Sequence, residues 1–177
     1  LAIMSEINFI RTTDAKHIKA AQEFWSLCKS NGYISDKQVY KVNYCVGCEL
    51  EKTDSELDAE GRCLIHPHLK IEVREEENYF FKFSEFKDRL LELYKANPAF
   101  VIPHTRQNEI TAFVSRGLQD FSISRLKSKM PWGVDVPGDN EHVMYVWFDA
   151  LVNYIDVIGW PENETEFAKW WPGIQIA

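Results

Sequence analysis

A mixed α/β fold is predicted, on three observations. Residues 14–32 and 84–97 carry apolar side chains at helical spacing. Around two paired motifs, Cys45-Val-Gly-Cys48 and Cys63-Leu-Ile-His66, the apolar residues alternate instead, as in half-buried strands. From His142 an apolar run of strand length leads into a polar residue and then helical spacing, which is half of a βαβ unit. A length of 177 residues suits one domain or two small ones and permits a real core. The 45% hydrophobic and 14% aromatic content excludes a disordered chain.

Asp14 is placed to cap a first helix. Ile18, Ala21, Trp25 and Cys28 recur on one stripe, Phe24 widens it, and Asn31-Gly32 supplies the stop. His17, in the first turn, reads as a surface residue, and Cys28 as a small core residue. Tyr33 to Tyr44 is strand-like around a polar break at Ser35-Asp36-Lys37 and feeds the first cysteine pair. Beyond His66-Pro67, Leu69, Ile71 and Val73 alternate as in a strand, and the acidic run Glu75-Glu76-Glu77 reads as a solvated connection. The aromatic cluster from Asn78 to Phe83 has no basic interleaving, so it is assigned to the core rather than to base stacking.

Ser84 is the expected cap of a helix with Phe86, Leu90, Leu93 and Tyr94 on its apolar face and Asn97-Pro98 at its end. Phe100 to Pro103 is an extended link, and 106–117 a short helix with Ile110, Phe113 and Val114 on one side. Residues 118–125 read as a turn and a short strand, with loops at Pro131-Trp132-Gly133 and Pro137-Gly138-Asp139. His142 to Phe148 is expected as one strand covered on both faces. Asp149 then caps a helix carrying Tyr154, Val157 and Ile158, closed by Gly159 and Pro161.

Fourteen residues separate the two short motifs. Each motif turns two soft ligands to one side of an ion, and the polar loop lets the second fold back on the first, as a tetrahedral Zn²⁺ site requires. Cys45, Cys48, Cys63 and His66 fill the shell, so the metal role is structural; His68 is the alternative fourth ligand. Three buried cysteines beside an incidental histidine is the plainer reading, and the joint occurrence of both spacings argues against it. Cysteines committed to a metal point to a reducing compartment, the cytoplasm, with mitochondrion or plastid as alternatives.

A net charge of −7 and no Lys/Arg block mean that the chain is not expected to grip nucleic acid strongly by itself. No secretory signal and no apolar run of membrane-spanning length is visible; the longest candidate, Tyr145 to Ile155, is broken by Asp149 and Asn153. The opening at Leu1 and the phrase Trp170 to Ala177 both look cut, which suggests an internal fragment of a larger protein.

At Tyr145-Val-Trp-Phe-Asp-Ala-Leu-Val-Asn-Tyr154 the sequence resembles methionyl-tRNA synthetases, class I enzymes, of the bacterial or organellar branch with one zinc knuckle. Phe9-Ile-Arg-Thr-Thr-Asp14, Tyr44-Cys-Val-Gly-Cys48, Glu77-Asn-Tyr-Phe-Phe81, Gly117 to Arg125 and Pro131-Trp-Gly133 agree in order, so the resemblance covers essentially the whole chain. It implies a zinc-knuckle connective insertion followed by the start of the second half of a Rossmann-type catalytic domain. It implies a parent that uses ATP and Mg²⁺ to make methionyl-adenylate and then charges tRNA(Met). Trp147, Ala150 and Tyr154 match positions lining the methionine pocket, and Arg125 matches an arginine near it. Leu151 stands where some members have proline.

Two signatures of the family, His-Ile-Gly-His and Lys-Met-Ser-Lys-Ser, do not occur, and Lys127-Ser128-Lys129-Met130 reads as a solvated basic turn rather than a copy of the second. No catalytic residue is therefore assigned, and the piece alone is expected to be inactive. The organisation expected is a helical lead-in at 1–38, the knuckle module at 39–83, a helical part and link at 84–140, and the resumed catalytic fold at 141–177. The alternatives are a free-standing zinc-knuckle binding module, or the same region of another class I synthetase.

Overall fold

In a computed structural model the described residues are 9–48, 50–52 and 54–171. The readings placed on the first eight residues, on Glu49 and on 172–177 lie outside them. The fold is mixed α/β, with helices and three small antiparallel sheets among the described residues. It divides into two compact units: Lys37–Asn78, and the chain on either side of it. No helix of the described residues is long and apolar enough to cross a membrane.

The flanking unit is built on α1 (Ala15–Ser30), whose stripe buries Ala21, Trp25 and Cys28. The Trp25 ring is wholly buried and meets Tyr79 and Phe148 edge-on, each at 5.3 Å. Asp14 holds the N-cap position, but its carboxylate accepts from the Arg11 amide at 2.9 Å instead of from the helix. His17 is a correction: it is fully buried, with Nδ1 3.8 Å from Asp156 Oδ2. It sits one turn before Ala21, so the buried stripe begins earlier than its apolar residues do. Burial lowers the His17 pKa, against the pull of Asp156 and Asp14.

Ile34 bridges Phe81, and β4 (Phe80–Phe81) pairs antiparallel with β5 (Phe121–Ser122). Of the aromatic cluster Tyr79 is buried in the core and Phe81 packs against it half-buried: Phe81 stacks on Phe86 at 5.4 Å and lies 5.8 Å from Phe121. Ser84 does not cap a helix. It lies in a 3-10 turn, Phe83–Phe86, and its amide donates to Asp120 Oδ1 at 2.9 Å. The helix α2 follows at Lys87–Ala96, and α3 spans His104–Ser115. Val114 is buried on α3, while Phe113 is 55% exposed; Gln107 is buried in its place and accepts the Val101 amide.

The apolar run from His142 splits in two. Only His142–Met144 is strand, β7, paired antiparallel with β6 (Ser124–Leu126) and buried at all three positions. Tyr145 caps α4 (Val146–Ala150). A run without polar interruptions carries no period, so the boundary between strand and helix within it is invisible to pattern. Asp149 therefore lies inside α4, not at its cap. Two further helices follow, α5 (Asn153–Asp156) and α6 (Glu164–Trp170). The last went unread in the sequence although Asn163-Glu164-Thr165-Glu166 spells its cap, in which the Asn163 side chain accepts the Glu166 amide at 3.0 Å.

Asp149 is 6% exposed and its Oδ1 has no partner; burial raises its pKa to about 6, against a hydrogen bond from the Ala150 amide. A carboxyl with a raised folded-state pKa favours folding below its unfolded value near 3.8, and that contribution is lost as pH rises through 6. Asp149→Asn is expected to remove this slope and to stabilise the fold at pH 7 by about 1–2 kcal/mol, read as urea midpoints at pH 4, 5, 6 and 7.

The Lys37–Asn78 unit is a three-stranded antiparallel sheet ordered β2 (Leu50–Lys52), β1 (Gln38–Cys45), β3 (Ile71–Asn78). The acidic run is not a connection. Glu75, Glu76 and Glu77 lie within β3, opposite Lys41, Tyr40 and Val39. Glu76 and Asn78 are buried on its inward face, and Asn78 Nδ2 donates to Tyr40 Oη and Glu76 Oε2, both at 3.2 Å. With a period of two, that face excludes Val73, which is 63% exposed.

Candidate functional site

The first ligand pair grows out of a strand end. Cys45 closes β1, and the turn at 46–48 brings Cys48 back beside it. The second pair is held by a loop that Asp58 organises: its carboxylate accepts the amides of Glu60 and Arg62 at 3.0 and 2.8 Å and the Arg62 Nε at 3.0 Å. Leu57 then bridges Cys63, and the His66 amide donates to the Cys63 carbonyl at 3.1 Å, closing the second turn.

These turns bring one ligand atom from each of Cys45, Cys48, Cys63 and His66 within 4.8 Å of one another. Cys48 Sγ lies 3.6 Å from Cys63 Sγ and 3.2 Å from His66 Nδ1; Cys45 Sγ lies 3.8 Å from the same Nδ1. A tetrahedron with metal–sulfur bonds of about 2.3 Å and metal–nitrogen bonds of about 2.0 Å has edges of about 3.8 Å (S–S) and about 3.5 Å (S–N). The set fits those edges within a few tenths of an ångström. His68 is exposed and outside the group, its ring 6.2 Å from that of His66. Burial pushes both the Cys63 and Cys48 thiols up. At Cys63 the His66 and Ile65 amides and the neighbouring thiols outweigh burial and bring its pKa down to about 6.

Gly47 is part of this geometry. A Cβ there would lie 2.7 Å from His66 Cγ and 2.7 Å from Leu69 Cδ1, so the ring packs against a bare backbone. Gly47→Ala is expected to push His66 off the cluster and weaken metal binding about tenfold or more, measured by competition with a chromophoric chelator. The Lys52 side chain is also built in, at 5% exposure, with its ammonium 3.3 Å from Glu56 Oε1. Sequence reading found neither residue; a glycine between the cysteines was the available signal for the first, and there was none for the second.

Beyond the cluster, α4 and α5 present an open face. Trp147, Leu151 and Tyr154 follow at helical spacing and are 63%, 56% and 44% exposed, with Ala150 between them half-buried. Phe148, Asp149, Val152 and Asp156 face the other way and are buried. On β6, Arg125 donates to Ser122 Oγ and the Ser124 carbonyl at 2.8 Å each, and its guanidinium lies 4.3 Å over the Tyr145 ring that precedes α4.

A family model described as tRNA synthetases class I (M) matches residues 3–69 and 47–176. The chain belongs to this family. Among curated class I synthetases it is 47% identical over 166 residues to a methionine–tRNA ligase of Thermotoga maritima, covering 93% of this chain and 26% of that one. It is 47% identical over 172 residues to the Streptomyces coelicolor methionine–tRNA ligase, covering 93% and 31%. A crystal structure of Mycobacterium tuberculosis methionyl-tRNA synthetase bound by methionyl-adenylate superposes with a TM-score of 0.76 at 42% identity, over 93% of this chain and 32% of that one. This class I synthetase chain thus spans about a third of the length of the relatives it matches.

Proposed function

We propose that this chain is the metal-knuckle and methionine-recognition portion of a methionine–tRNA ligase. The observation that carries the reading is the α4–α5 face, where Trp147 and Tyr154 stand exposed with Ala150 half-buried between them, opposite the buried Phe148, Asp149, Val152 and Asp156. A relative at 42% identity binds methionyl-adenylate, which supports placing the amino acid there.

In this reading the parent joins the methionine carboxylate to the α-phosphate of ATP, releasing pyrophosphate, and the tRNA(Met) terminal hydroxyl then displaces AMP from the adenylate. Magnesium accompanies the ATP. The residues of this chain bind and orient. Trp147 offers an aromatic wall to a polarizable thioether, Tyr154 a hydroxyl to its sulfur, and Ala150 the room for it. Arg125, braced on Ser122, Ser124 and the Tyr145 ring, fixes the start of α4. Phosphate-binding groups belong to other parts of the parent, because neither family signature for them occurs among the 177 residues.

The metal we assign is Zn²⁺, held by Cys45, Cys48, Cys63 and His66. Soft sulfur and imidazole donors at tetrahedral spacing suit it, and four protein ligands leave no open position, so its part is structural. The Lys37–Asn78 unit then corresponds to the connective insertion, and the Met-pocket face to the edge of the catalytic fold. Thiols kept for metal support a reducing compartment, the cytoplasm, with mitochondrion or plastid as the alternatives.

The test is methionine-dependent ATP–pyrophosphate exchange by the full-length parent. Trp147→Ala in that parent is expected to lower kcat/KM for methionine about 100-fold, or about 2.7 kcal/mol of transition-state stabilisation. The 177-residue chain alone is expected to show no exchange. Exchange driven by another amino acid, or undiminished by Trp147→Ala, would overturn the assignment.

A further inference from the structure

We propose that Lys16 clamps Asp156 to fix the register of α5 on α1, which makes Lys16 a positioning residue for the methionine-facing Tyr154. The inference rests on the methionine-pocket reading above.

The helix α5 needs an external hold. It is a single turn, Asn153–Asp156, and a helix so short has no stability of its own. Outward it presents Tyr154. Inward it presents Asp156, wholly buried, with the buried Val152 one turn before it. Asp156 packs against the first turn of α1. The Lys16 ammonium lies 2.9 Å from Asp156 Oδ1 and also donates to the Asp156 carbonyl at 2.9 Å. One cation thus grips both the side chain and the backbone of one residue. A grip on the carboxylate alone would let the residue turn about its Cα–Cβ bond; the second contact fixes the carbonyl that ends α5. That carbonyl also accepts the Gly159 amide at 2.9 Å. From the other side His17 Nδ1 lies 3.8 Å from Asp156 Oδ2. Burial holds the His17 pKa below its ordinary value, so at neutral pH the ring contributes bulk rather than charge.

Stability alone does not explain a carboxylate at this position. One partly exposed lysine offsets the desolvation of a wholly buried carboxylate poorly, and an apolar side chain of similar size would pack as well or better. What the ion pair adds is register. Apolar surfaces tolerate sliding, whereas the two contacts of Lys16 are met at one placement of α5 only. Lys19 supplies the contrast, since it meets Glu162 at 2.9 Å with both side chains exposed, a pair of the kind that contributes little. Tyr154 lies two residues before Asp156, so a shift of α5 moves the hydroxyl offered to the methionine sulfur.

The experiment is ATP–pyrophosphate exchange by the full-length parent, with methionine and ATP varied separately and melting temperatures measured alongside. Lys16→Met is expected to raise KM for methionine about tenfold and to leave kcat and KM for ATP within about twofold, because misplacement is confined to the amino-acid side. Lys16→Arg, whose fork can reach both oxygens, is expected to stay within about threefold of the wild type. Asp156→Leu is expected to raise KM for methionine as Lys16→Met does, with an unchanged or higher melting temperature. Lys19→Met is expected to change neither KM. A wild-type KM for methionine in Lys16→Met would overturn the proposal, as would equal rises in both KM values or a tenfold rise in Lys19→Met. The Lys16 side chain is 44% exposed, so its variants decide the matter even where Asp156→Leu does not fold. An unchanged KM for methionine in both Trp147→Ala and Tyr154→Ala would instead remove the pocket reading on which this rests.

Discussion

Cys63→Ser is expected to strip the metal from the Lys37–Asn78 unit and unfold that unit. The buried apolar side chains of this unit, among those described, are Val42, Cys45 and Cys63, and two of those three belong to the Cys/His cluster proposed to hold the metal. So small a core cannot offset the entropy of ordering three strands and a long polar loop. A structural zinc contributes on the order of 10 kcal/mol of apparent binding free energy in small domains, and here it would join the end of β1 to the turn before β3. Metal analysis should fall from one zinc per chain to none, and limited proteolysis should open the loop between Cys48 and Cys63. A Cys63→Ser protein that keeps the wild-type melting temperature and resists protease would show that the sheet stands without metal.

Trp25→Ala is expected to destabilise the flanking unit by about 3–5 kcal/mol, the usual range for deleting a large buried aromatic. Its ring is fully enclosed and touches Tyr79 and Phe148 edge-on, so it joins α1, the segment leaving β3 and α4 at one point. The check is the guanidinium midpoint of the variant, followed by tryptophan-independent far-UV dichroism. Zinc content should stay at one per chain, which separates this lesion from that of Cys63→Ser. A shift below about 1 kcal/mol would mean that neighbouring rings collapse into the space.

Much of this was readable from residue order, and the unread parts share a cause. The α1 stripe, the stop at Asn31-Gly32 and the strand leading into Cys45 follow from period and punctuation, and the chain has them there. Pattern failed where polar residues are buried or apolar ones exposed. His17 is hidden because Asp156 faces it from α5, a partner 139 positions away that no local window contains. Glu76 and Asn78 turn inward while Val73 turns out, because they satisfy one another and Tyr40 on that face. At the metal cluster, spacing named four candidate side chains, but not the bare Cα of Gly47 or the ammonium of Lys52, whose reasons are steric and electrostatic. The run from His142 to Phe148 changes from strand to helix at Tyr145, where the amide donates to the Ile123 carbonyl at 2.8 Å.

The chain leaves and rejoins its larger unit at adjacent points. Ser35 donates to the Phe80 carbonyl at 2.9 Å, and just beyond, Gln38 and Asn78 face one another as the first rung of β1 and β3. The knuckle is therefore an insertion: Ser35 and Phe80, both of the larger unit, hold the two chain crossings together whatever the length of chain between them. Such a joint lets evolution, or an engineer, retune the metal module as a cassette without rewriting the aromatic core around Trp25.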